Sequence, residues 1–276
     1  MRTYKFTENA GETLVSLCRK SCTSGRSVLC SPAVKHSLSL FLTALALSLT
    51  ACQTQFPKVS SAPALYMPEG LCYLDEVAPT IQVELKYAGS DNFVGRPIEG
   101  YSGQRAILRK DAAANMAKAA AILAKDGYGL KVLDAYRPAG AMKDFYEWSK
   151  TDDDRMKARF YPNITKKGIY DGQYIGLTSE HNWGVAVDVT LIDLKSGKEC
   201  DMGGHHDLLD PCSATDYPNL TPRQRANRNR LRSAMAAAGM RNYSKEWWHY
   251  FVHPLGICYL YGFPLDDNLS PAPSAR

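Results

Sequence analysis

Ordered hydrophobic patterning begins at Ile81–Tyr87 (IQVELKY), where apolar and polar residues alternate with period two, as in a strand with one buried face. Asp111–Lys125 (DAAANMAKAAAILAK) has helical spacing, an aspartate suited to capping its start and Gly127 just past its end, so it predicts a helix. Leu130–Ala135 (LKVLDA) reads as a buried strand that ends at Tyr136-Arg137-Pro138. A second helix is expected from near Gly140 through Trp148. Val185–Leu191 (VAVDVTL) is β-branched and alternating, which predicts a central strand with Asp188 turned to one face. Thr221-Pro222 starts a further helix that Gly239 ends, and Glu246–Val252 (EWWHYFV) has strand character. This mixture predicts an α+β fold, a small, largely antiparallel sheet flanked by helices.

The periodicity stops at both ends. Leu38–Leu49 (LSLFLTALALSL) is an apolar run preceded by Lys35 and His36, too short to span a bilayer and of the length of a signal-peptide hydrophobic region. Leu49-Thr50-Ala51-Cys52 resembles the lipobox of bacterial lipoproteins. That resemblance implies an exported, periplasmic chain held at the membrane by a lipid on Cys52, and Gln53 in place of aspartate implies sorting to the outer membrane. Gln53–Ala64 is polar and proline-bearing, as a tether would be, and Pro264–Arg276 reads as a disordered tail. The expected division is therefore 1–52 preamble and signal, 53–64 linker, 65–263 folded domain and 264–276 tail.

Composition narrows little. Among 276 residues, 45% hydrophobic and 22% charged content permits a sizeable core. A net charge of +5 is mild, and no nucleic-acid or obligate protein partner is read from it. Arg223, Arg225, Arg228, Arg230 and Arg232 read as a solvated helix face. Of eight cysteines, Cys72, Cys200, Cys212 and Cys258 fall in the domain; an even number in an exported chain suggests two disulfides. Three connectivities are open. Cys200 with Cys212 is the most local, clipping the loop that holds His205, His206 and Asp207, and would leave Cys72 with Cys258.

Catalytic zinc takes nitrogen and oxygen ligands, three from the protein, and keeps one open position. His181 and Asp188 stand seven apart across a turn at Asn182–Gly184, while Glu246 and His249 stand three apart. In extended chain three apart means opposite faces, so aiming both at one centre requires a turn or bulge between them. His205 and His206 have no paired ligands nearby in sequence and read as solvated loop.

Ser179–Asp188 has the form SxHxxGxAxD and Glu246-Trp247-Trp248-His249 the form ExWH. The pair resembles the signature of the D-Ala-D-Ala metallopeptidases, which include VanX-type dipeptidases, VanY-type carboxypeptidases and relatives with the fold of the Hedgehog signalling domain. The resemblance implies one Zn2+ per chain on His181, Asp188 and His249, with Glu246 as catalytic base. Tyr87-Ala88 with Asp91-Asn92-Phe93 and Gly95, Asp134–Pro138, and Asp201-Met202-Gly203 followed by Asp207 resemble blocks of the VanX-type branch. By that likeness Arg137 acts on the substrate carbonyl, Asp207 receives the free amine, and Ser179 and Tyr174 are candidate substrate contacts. The chain departs from the pattern at Gly204-His205-His206, where the family more often has Thr-Pro-Phe. The implied reaction is hydrolysis of D-Ala-D-Ala to two D-alanines. A peptidoglycan carboxypeptidase or endopeptidase, or a non-catalytic zinc domain, are the alternatives. Glu246 and Arg137 count against the last, since a structural zinc needs neither.

Overall fold

In the computed structural model, which describes residues 66–171, 174–253 and 260–272, two hydrophobic helices and a central strand form where the periodicity predicts them. The strands are β1 (Tyr66–Met67), β2 (Leu71–Tyr73), β3 (Gln82–Val83), β4 (Ile107–Arg109), β5 (Tyr128–Asp134), β6 (Ala186–Asp193), β7 (Arg241–Asn242), β8 (His249–Phe251) and β9 (Ser270–Pro271). The helices are α1 (Leu74–Val77), α2 (Lys110–Ala124), α3 (Ala139–Ser149), α4 (Lys157–Phe160), α5 (Lys166–Asp171) and α6 (Pro222–Ala237). The main sheet runs β3-β5-β6-β8-β7, parallel only between β3 and β5, so the α+β expectation holds.

β6 is buried along nearly its whole length. Val187, Val189 and Leu191 join the hydrophobic core, and alternation turns Asp188 and Thr190 to the other face. Helix α2 presents Ala112, Ala113, Met116, Ala119 and Leu123 inward and packs on α6 and β5. Small residues on this face let the two helices approach closely. Asp111 does not cap α2. Arg109 is the N-cap residue, and Asp111 sits in the first turn, paired with the Arg109 guanidinium at 2.6 Å. At α6 the expected cap does form, with Thr221 Oγ1 accepting from Gln224 N and the Gln224 side chain returning to Thr221 N. The strand expected over 81–87 is shorter: after Val83 the chain curls into a 3-10 turn at Lys86–Ala88 that buries both Leu85 and Tyr87.

Three further expectations are corrected. The segment from Pro264 to Ala272 is part of the domain rather than a disordered tail. Leu265 is fully buried and exchanges backbone bonds with Gly100 and Ser102, and β9 pairs with β1. The Asp267 carboxylate accepts the backbone N–H groups of Gln104 and Arg105 at 2.7 Å each, and Leu265 and Leu269 join the core, so a segment with few apolar residues is held by both.

Cys200 and Cys212 are unpaired, as is Cys72, while Cys258 lies outside the described residues. The loop between Cys200 and Cys212 is fastened by Arg228, which also corrects the solvated reading of the arginine cluster at that position. Arg228 is only 1% exposed, and its guanidinium donates to the carbonyls of Met202 (2.6 Å), Ala214 (2.7 Å) and Cys212 (3.1 Å). Burial lowers its pKa to about 10. The signal segment, Cys52 and the linker lie outside the described residues.

Candidate metal centre

Sheet register assembles the site. Asp134 on β5 lies opposite Asp188 on β6, and Asp188 lies opposite His249 on β8, so three chemistry-bearing residues form a row across the sheet. His181 enters beside that row from a 3-10 turn at Glu180–Trp183. Ser179 caps the turn, its Oγ accepting from His181 N, while Asn182 Oδ1 accepts from Ser179 N at 2.9 Å. Gly184 ends the turn at φ +65, and a Cβ there would lie 3.0 Å from Leu71 Cδ2 and 3.3 Å from the Arg109 amide. Both the left-handed backbone and the close approach require glycine.

His181 Nδ1 donates to Ala135 O at 2.6 Å, which turns Nε2 inward with its lone pair free. Nε2 lies 3.1 Å from His249 Nδ1 and 3.3 Å from Asp188 Oδ1, and His249 Nδ1 lies 3.1 Å from the same oxygen. Donors about 2.0–2.1 Å from one tetrahedral zinc stand roughly 3.3 Å apart. The three side chains are almost completely buried, and two imidazoles facing a carboxylate at this spacing fit a metal ion. Burial would lift the Asp188 carboxyl, but His181, His206 and His249 around it hold it well below the usual carboxylate range. It is therefore an anion ready to ligate.

Glu246 joins the site through the turn that the three-residue spacing requires: His249 N donates to Glu246 O at 3.3 Å, and strand β8 begins only at His249. Burial pushes the Glu246 carboxyl well above its ordinary pKa, and the negative charges of Asp188 and Asp207 add to the shift. Arg137 is 7% exposed; its Nε and Nη2 bond Asp134 at 3.0 and 2.8 Å, while Nη1 lies 4.0 Å from the weak acceptor Met142 Sδ. The Arg137 and His181 segments are tied by Arg137 N to His181 O (3.1 Å) and Asn182 Nδ2 to Arg137 O (2.8 Å).

Asp207 is the one non-glycine residue with positive φ, at 61, among the described residues. It is buried, its Oδ2 has no hydrogen-bond partner, and burial together with the Asp188 charge raises its pKa. An orphaned carboxylate oxygen held on a strained backbone is a feature of sites that await a ligand. A cavity of about 390 Å³ gathers Arg137, Asp207, Glu246 and the three metal-site residues, with Ser179 and Tyr174 on its wall.

Sequence reasoning missed four residues here. Asp134 binds Arg137 and lies 3.4 Å from His181 Nδ1, and Tyr101 donates to Asp134 at 2.6 Å. Tyr87 lies under the Arg137 guanidinium, 5.0 Å from the ring centre. His206 is buried rather than solvated, its Nε2 3.1 Å from Asp188 Oδ2, whereas His205 stays on the surface with its ring on Phe160. Asp134 and Tyr87 stood within the segments that resemble the VanX-type branch, but only the fold reveals their contacts. The signal for His206 was its place next to Asp207.

Comparison with known proteins agrees with this geometry. The family profile described as D-Ala-D-Ala dipeptidase matches residues 67–256. The chain is 40% identical over 185 residues to a D-alanyl-D-alanine dipeptidase of Streptomyces coelicolor, covering 67% of this chain and 92% of that one. It is 36% identical over 187 residues to the D-alanyl-D-alanine dipeptidase of Enterococcus faecium, covering 67% and 93%. A solved LdcB LD-carboxypeptidase is similar at 16% identity with a TM-score of 0.38, covering 69% of this chain and 71% of that one, a likeness too loose to inform the site.

Proposed function

The chain belongs to the D-Ala-D-Ala dipeptidase family, and on that premise we propose that it hydrolyses free D-Ala-D-Ala with one zinc ion held by His181, Asp188 and His249. A zinc ion held by these residues would supply Lewis acidity and would lower the pKa of water there from about 15.7 towards 7. Glu246, which lines the same cavity, is placed to accept a proton from the attacking water and to pass it to the leaving amine. Arg137 is held by Asp134 and lines the cavity, where its charge would meet the negative charge that develops on the carbonyl oxygen. Ser179 and Tyr174 form part of the wall against which the dipeptide backbone lies.

The observation that carries the reading is the unsatisfied Oδ2 of Asp207 in the same cavity as Glu246. A substrate ammonium supplies the missing donors, and a cavity of about 390 Å³ is at the small end for ligand pockets, suited to a dipeptide. A substrate extended at its N-terminus would leave Asp207 unpaired, which disfavours the carboxypeptidase alternative. The test is D-alanine release from D-Ala-D-Ala against release from an acylated tripeptide ending in D-Ala-D-Ala, with and without chelator. Chelator-sensitive preference for the free dipeptide is expected; preference for the tripeptide refutes the reading. Export and anchoring through Cys52 belong to the same proposal on the sequence of residues 38–53 alone. Membrane fractionation of wild type against Cys52→Ala tests them.

A further inference from the structure

The two oxygens of Asp188 face different neighbours. Oδ1 lies 3.3 Å from His181 Nε2 and 3.1 Å from His249 Nδ1, whereas Oδ2 lies 3.1 Å from His206 Nε2 and 3.8 Å from Arg137 Nη2. The His206 ring is fixed on both sides, 5.5 Å from the Trp248 ring and 6.2 Å from that of Tyr87, and is 7% exposed. It is not among the residues that line the cavity. Its Nε2 also lies 3.4 Å from Asp207 Oδ1, a longer approach than that to Asp188.

Resting on the reading of Asp188 as a ligand, we propose that His206 is a positioning residue: its Nε2–H holds Oδ2 of Asp188 so that Oδ1 alone is presented with His181 and His249. A carboxylate free at both oxygens can swing or bind through both, filling the position that hydrolysis needs open. A charge-assisted N–H bond to the second oxygen prevents this, and outer partners of this kind alter metal affinity by about 10- to 100-fold. A phenylalanine at this place would fill a similar space and could not donate.

The experiment measures zinc affinity by competition with a chromophoric chelator, the visible spectrum of the cobalt-substituted protein, and kcat and KM separately on D-Ala-D-Ala, all on the full chain. His206→Phe is expected to weaken zinc about 10- to 100-fold and to alter the cobalt spectrum. Its kcat should fall while KM stays near wild type, because the ring is not among those that line the cavity. His206→Gln, which keeps an N–H donor, should recover most of the affinity. Where His206→Phe fails to fold, His206→Met against His206→Gln carries the same contrast between a side chain of similar length without a donor and one with it. Unchanged affinity and spectrum on loss of the donor overturn the proposal, as does a glutamine variant no better than the apolar one. A raised KM with unchanged zinc affinity also overturns it, assigning His206 to Asp207 instead. Those outcomes leave the metal reading intact, whereas a wild type that takes up no zinc sinks both.

Discussion

Replacing Asp207 by asparagine removes one charge from the cavity and almost nothing else. Asparagine is chosen because Asp207 sits at φ +61, a left-handed conformation that costs an ordinary side chain about 1–2 kcal/mol and that asparagine tolerates. Alanine would mix that strain with the loss of charge. The Asp207 side chain is 7% exposed and one of its oxygens has no partner, so in the substrate complex the ammonium meets it with water largely excluded. Losing one member of a buried, hydrogen-bonded charge pair costs about 2–5 kcal/mol. At about 1.4 kcal/mol per tenfold, that is a fall in kcat/KM for D-Ala-D-Ala of roughly 30- to 5,000-fold. The matching assay uses N-acetyl-D-Ala-D-Ala, whose blocked amine gains nothing from the carboxylate. The ratio of the two specificity constants should therefore collapse towards unity, while the melting temperature without substrate stays near wild type. An unchanged ratio in a folded Asp207→Asn protein removes Asp207 from substrate recognition and with it the argument for a dipeptidase over a carboxypeptidase.

His181→Ala, Asp188→Ala and His249→Ala should each lose bound zinc by elemental analysis, whereas Glu246→Gln should keep it and lose about 10²–10⁴ in kcat; full zinc in the first three or normal turnover in the last refutes the assignment. In the chelator-treated protein, burial together with neighbouring carboxylates raises the pKa of Glu246 and that of Asp207, and the same acidic neighbours outweigh burial to raise those of His181 and His206. Every one of these groups binds its proton more tightly folded than unfolded, so stability should fall as pH rises from about 5 to 8, and a melting temperature that climbs over that range contradicts the site electrostatics. Arg228→Met should destabilise by about 2–4 kcal/mol in a denaturant titration because three carbonyls lose a buried donor, and reductant should leave the wild-type melting temperature unchanged. A large fall on reduction would instead reveal a disulfide.

The ligand set was legible because its chemistry is dense: His181 and Asp188 bracket a turn, His249 follows Glu246 at a spacing that forces another, and both segments match a family signature. The central strand and the helices α2 and α3 were legible because their periodicity reflects which face is buried, and α6 because Thr221-Pro222 and Gly239 mark its ends. Contacts that depend on chain reversal over long distances were not. Asp134 stood in the segment that resembles the family's arginine block, but its place opposite Asp188 follows only once β5 pairs with β6. Arg228 looks like any arginine of a basic helix, since nothing local says that three carbonyls of a distant loop need a donor there. The segment after Pro264 lacks a regular period because only Leu265 and Leu269 enter the core, while Asp267 and backbone pairing tie the rest.

That last segment has a bearing on how the molecule comes apart. Parallel pairing of β1 with β9 joins residues about two hundred positions apart, so forming it closes nearly the whole domain into one loop at an entropic cost no local contact offsets. Pairings of such separation form late and open early. Tyr73, whose hydroxyl donates to Asp266 O and accepts from Leu269 N at 2.7 Å each, acts as the latch on this seam. The row Asp134, Asp188 and His249 lies on strands in the middle of the sheet, away from the latch. The seam still reaches that row through one residue: Leu265 bonds Gly100 and Ser102 on either side of Tyr101, whose hydroxyl holds Asp134, so opening the closure should loosen the support of Arg137 before it disturbs the strands themselves.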